Sequence, residues 1–184
     1  MGWTSVLEGF PDHVKSIGMI SIEAGNVDLS LTWILQEALG VTGEVSHAIY
    51  MSPKQAHTRL DIFRNALFAR FTPRFPNDTP NEVINGLAEI RKEIDVLYKR
   101  AMDLSTRRNS TMHDLWGLEH TGEVVRHHLP IKDFAKPATP VPLAELEQLI
   151  REMRAFIDDA KKFRQSLVDQ RLKAVLKTPS PEVL

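Results

Sequence analysis

The stretch from Thr79 to His113, TPNEVINGLAEIRKEIDVLYKRAMDLSTRRNSTMH, decides how the chain reads. Apolar residues recur at Val83, Leu87, Ile90, Ile94, Leu97, Ala101 and Leu104, in steps of three and four, which is the seam of a helix that faces a core or a partner helix. The next seam position is Arg108, where packing asks for an apolar side chain. Burying a guanidinium there is costly unless a partner or a ligand anion takes up its donors. Thr79-Pro80 reads as a cap followed by a first-turn proline, so one helix of some thirty residues runs into Arg108-Asn109-Ser110-Thr111-Met112-His113.

The same periodicity extends on both sides. Val14, Ile17, Ile20, Ala24, Val27, Leu31, Ile34, Leu35 and Ala38 mark a long helix from Pro11 to Leu39, with Gly40 as its stop. A short helix covers Glu44 to Met51, and Ser52-Pro53 reads as the start of a third long helix carrying Ala56, Leu60, Phe63, Leu67 and Phe71. After a proline-rich loop and the helix quoted above, Leu115 to Pro142 is rich in Gly, Pro and β-branched residues, with a hairpin expected around His120-Thr121-Gly122-Glu123. Leu146, Leu149, Met153, Phe156, Ala160, Phe163 and Leu167 then mark a last helix from Leu143 to about Leu176. The expectation is an all-α bundle of four long helices and one short one, with an irregular or hairpin segment before the last. It forms one domain over residues 1–176, followed by a short tail, 177–184. The surplus of apolar seams points to a homodimer.

With 184 residues, 42% of them hydrophobic, the chain can bury one substantial core. Its formal net charge of -1 gives no overall attraction to nucleic acid, so RNA binding requires a local basic patch. Arg107-Arg108, Lys99-Arg100, Lys132 and Lys136 form such a rim or an ordinary solvated face. The chain has no cysteine, which excludes disulfides and thiol catalysis and suits a cytoplasmic location. No apolar run is long enough to cross a bilayer, and no membrane partner is expected. His120, His127 and His128 lie close together but lack a recognised ligand spacing, so neither a metal nor another cofactor is expected.

Arg108 and His113 are five residues apart, which on a straight helix turns their side chains about 140° from each other. They converge if the helix kinks or ends, or if a two-fold dimer brings both copies of the motif to one groove. Asn109 and His113 share a face, where an amide can orient the imidazole. A histidine that exchanges protons near neutrality, beside a guanidinium that holds phosphate, suits phosphodiester cleavage by an RNA 2′-hydroxyl without a metal.

Arg-Asn-Ser-Thr-Met-His, followed by Asp-Leu-Trp-Gly, resembles the signature of HEPN-domain proteins, Arg-Asn-x-x-x-His. The stretch Ala48 to Lys54 with Arg59-Leu60-Asp61-Ile62 is similar to a bacterial group that carries the same Arg-Asn-x-x-x-His-x-x-Trp-Gly core. The resemblance implies a four- or five-helix bundle that dimerises, and a metal-independent endoribonuclease of a toxin–antitoxin or defence type with a cognate antitoxin-like protein. It implies Arg108, Asn109 and His113 as catalytic residues. Arg107 and Trp116 are the candidate RNA contacts, Trp116 as a stacking platform or a packing anchor. Asp114 departs from the small residue common after that histidine, and a carboxylate there repels phosphate.

Two other classes fit the same residues. One is a catalytically silent interaction or regulatory protein, in which the motif knits subunits and Glu23 or Asp28 pairs with Arg108. The other is a bundle that binds a small ligand in a groove between long helices, with the arginine as its clamp. Arg151 to Arg154 and Lys161-Lys162 read as an ordinary charged face.

Overall fold

The computed structural model describes residues 6–119, 121–127 and 139–177. His120, His128, Lys132, Lys136 and the tail 178–184 lie outside the described residues, as do the side chains of Leu115 and His127. The fold is all-α, with five α-helices and one small sheet among the described residues. Helix α1 spans Pro11–Leu39, α2 Gly43–Met51, α3 Ala56–Arg70, α4 Asn81–His113 and α5 Leu143–Lys177. Strands β1 (Leu115–Leu118), β2 (Val124–His127) and β3 (Thr139–Pro140) fall between α4 and α5.

The chain separates into two compact units. One joins the residues up to Val27 to Arg100–Phe156, and the other joins Asp28–Lys99 to the residues from Ile157 onward. Helices α1, α4 and α5 therefore each contribute one part to either unit. In the first unit the buried apolar residues include Ile20, Ala101, Leu104, Val125, Leu146, Met153 and Phe156. In the second, Leu31, Ile34, Leu35, Tyr50, Phe63, Leu67, Ile94 and Phe163 do the same. The seam of α4 holds from Ile94 through Leu104, all buried, whereas Val83 at its start is 48% exposed.

Local chemistry sets the helix ends. Pro11 begins α1 because a first-turn residue has no intrahelical use for an N–H. Gly40 ends it at φ 67°, donating its N–H to the Gln36 carbonyl at 3.0 Å. Arg70 Nε satisfies another open carbonyl there, that of Ala38, at 3.0 Å. Ser52-Pro53 does not start α3. Ser52 remains in the right-handed helical region and returns its hydroxyl to the Ile49 carbonyl at 3.0 Å, so α3 begins three residues after Pro53, with Gln55 as its extended cap. Thr79 likewise does not cap α4, since its hydroxyl donates to the Phe75 carbonyl at 2.7 Å and Pro80 stands just outside the helix.

After α4, β1 and β2 pair antiparallel in the register Trp116 with Arg126, Gly117 with Val125 and Leu118 with Val124. Gly122, at φ 81°, makes the turn that other residues resist, and the Glu119 N–H donates to the Glu123 carbonyl at 3.0 Å. Strand β3 adds to the other edge of β2, with Arg126 opposite Thr139.

Candidate functional site

Helix α4 continues without interruption to His113 and stops there. Arg108 and His113 therefore keep the divergence of about 140° expected of a straight rod, and a single chain does not bring them to one point. His113 is exposed at the last position of the helix, and Asn109 is exposed one turn earlier on the same face. The Asn109 amide, however, does not hold the imidazole. Its Oδ1 accepts from Arg108 Nη1 at 3.0 Å, so the asparagine orients the guanidinium.

Arg108 itself is half-buried, as its place on the seam requires. Its Nε is sealed from solvent and has no hydrogen-bond partner, one of two side-chain atoms among the described residues in that state. A buried N–H without a partner costs about 1–3 kcal/mol. The sealed Nε is out of a ligand's reach, so any contact with an anion falls to the other nitrogens of the guanidinium, of which Nη1 is turned to Asn109. Glu23 does not supply that anion. Its carboxylate takes Arg154 Nε at 2.7 Å and the Asn26 amide at 3.1 Å. Burial alone would push the Glu23 carboxyl up, but the guanidinium and the amide outweigh it and leave the pKa below the usual value. Asp28 serves Tyr50 and Arg59 in the other unit.

The two candidate RNA contacts have structural engagements. Arg107 Nη1 is held by Asp103 at 3.3 Å and by Glu152 at closer range. Burial disfavours the Arg107 charge, yet the two carboxylates more than compensate and raise its pKa. Glu152 answers in kind, its pKa lowered by the Arg107 hydrogen bond and then by the Gln148 amide. Trp116 is half-buried, and its indole N–H donates to the Thr111 carbonyl at 3.1 Å. That carbonyl is among the last four of α4, which lack helical donors, so the tryptophan caps the helix end from the hairpin.

Asp114 is 8% exposed and turned inward, its Oδ2 3.3 Å from Arg126 Nε. The negative charge that sequence places beside the motif is thus compensated from β2. This pair and the Arg107–Glu152 pair escape a reading by periodicity; only the arginine within the apolar run Val124-Val125-Arg126 signals that a buried acid awaits it. Arg100 of the expected basic rim lies over the Phe156 ring at 5.5 Å. Among the described residues, no three His, Asp or Glu side chains gather to hold a metal ion, and no helix is long and apolar enough to cross a membrane. No family model, curated protein or solved structure matches the chain.

Proposed function

We propose that this chain is a HEPN-like RNA-binding protein that works as a homodimer and cleaves RNA without a metal. The observation that carries the reading is Arg108, a half-buried guanidinium with one sealed, unpartnered N–H and a second nitrogen oriented by Asn109. Arg108 holds a phosphate. His113, exposed at the end of the same helix, exchanges protons with it. Because the two diverge on one helix, the working site is composite: Arg108 of one copy meets His113 of the other across a two-fold axis. Two imidazoles then serve one scissile bond. One takes the proton of the 2′-hydroxyl as its oxygen bonds to phosphorus, the other gives a proton to the departing 5′-oxygen, and a 2′,3′-cyclic phosphate remains.

The test uses single-stranded RNA and purified protein in the presence of a chelator. His113→Ala lowers the cleavage rate about 100- to 10,000-fold, the usual worth of a general acid or base, while helical circular dichroism is unchanged. Arg108→Ala weakens RNA binding as well. Cleavage equal in wild type and His113→Ala overturns the enzyme reading.

The engagement of Arg107 with Asp103 and Glu152, and of Trp116 with Thr111, favours a second reading, a silent regulatory or interaction protein that pairs with an antitoxin-like partner. It predicts no cleavage by wild type at any RNA concentration, together with a dimer that weakens in Arg108→Ala.

A further inference from the structure

Helices α1 and α5 begin side by side in the first unit. His13 Nε2 lies 3.2 Å from the Val141 carbonyl just ahead of α5, and ten residues further along α1 Glu23 meets Arg154, thirteen beyond Val141. The two helices therefore run parallel, with both N-terminal ends at one place. Parallel helix dipoles with like ends together repel, and negative charge at the positive ends relieves them. Asp12 supplies part of it.

Along the first three turns or so of the pair lies a groove of about 580 Å³, in the size range of small-molecule sites. Lys15, Arg151 and Arg154 line it with Asp12 and Glu147, and Arg154 is already taken up by Glu23. They differ in how far they are committed. Lys15 is exposed and makes no ion pair among the described residues. Arg151 turns Nε and Nη2 to the Gln148 amide oxygen at 3.1 and 2.8 Å, leaving Nη1 4.0 Å from Glu147. Met19 and Ile150 provide an apolar wall.

Ser16 lies on the lining and is only 7% exposed, yet its hydroxyl has no hydrogen-bond partner among the described residues. Among the buried helical hydroxyls, Thr32 and Thr111 donate to carbonyls four residues earlier and Ser46 to the carbonyl three residues earlier. Ser16 is largely buried, yet its hydroxyl keeps an opening and forgoes this partner, so it is available to a ligand in the groove. It lines the groove beside Lys15, a cation without an ion pair among the described residues, and Arg151.

We propose that the groove between the starts of α1 and α5 binds a small amphiphilic organic anion, separately from the RNA reading. Lys15, Arg151 and the Ser16 hydroxyl receive its carboxylate or phosphate head, and its alkyl body lies on Met19 and Ile150. Isothermal titration of the full chain with octanoate, and in parallel with octyl phosphate, tests this. Saturable binding of either probe is expected, and the tighter of the two identifies the head group. The double variant Lys15→Gln, Arg151→Gln weakens it about tenfold or more, through two exposed side chains whose loss leaves the helical circular dichroism unchanged. Ser16→Ala weakens it about threefold to tenfold. Absence of saturable binding by both probes, equal affinity in the double variant, or equally tight binding of octylamine overturns the proposal.

Discussion

Arg59 and Arg108 share one defect and differ in everything around it. Each has a sealed Nε with no partner. Around Arg59 the rest of the charge is answered: Asp28 Oδ2 lies 3.4 Å from Nη2, the Met51 sulfur 3.6 Å from Nη1, and the Tyr50 ring 5.9 Å from the guanidinium carbon. Tyr50 is fully buried and gives its hydroxyl to Asp28 at 2.8 Å, and burial, followed by the Asp28 charge, pushes that phenol well above its ordinary range. Around Arg108 the described residues supply no carboxylate, only the Asn109 amide. An unsatisfied N–H is therefore not in itself a sign of function; it becomes one when the charge is also left unanswered.

The largest effect that sharpens this contrast falls on stability. Arg59→Ala strips a 17%-exposed cation from Asp28 and costs about 2–3 kcal/mol, read from urea unfolding at neutral pH. Glu23→Gln comes next, at about 1 kcal/mol, because Arg154 is 55% exposed and regains water when its partner is lost. Its pH dependence is specific. The folded Glu23 carboxyl titrates below 4.5, so its contribution is complete above that value and is lost as pH falls through the lower folded value; the gap between wild type and variant closes toward acid. Arg108→Ala is the smallest, within about 1 kcal/mol for the isolated chain, since only the packing of a half-buried stem and an exposed hydrogen bond to Asn109 are lost. A loss as large as that of Arg59→Ala breaks the comparison.

What sequence reveals here follows the range of the interaction. Pro11 and Gly40 act on their own turns, and α1 runs between them as read. Gly122 needs a positive φ, and the hairpin forms around it. The seam of α4 leads to an incompletely satisfied Arg108 because periodicity is a property of one helix. Ser52-Pro53 misleads because a hydroxyl that faces back along the preceding helix and one that faces forward to the next have the same local sequence. Pairs such as Glu23 with Arg154, 131 residues apart, depend on how helices are rotated against each other, which no single repeat encodes. The groove stayed hidden for that reason: Arg151 to Arg154 read as a solvated face until Lys15 and Ser16 stand opposite them.

The Trp116 cap has an optical consequence. An indole whose N–H is tied to a helix carbonyl changes its emission when that last turn frays, and the turn in question carries His113. The chain has three tryptophans, so replacing Trp3 and Trp33 with Phe leaves a single tryptophan, whose emission under excitation that spares the two tyrosines reports the order of the motif in real time.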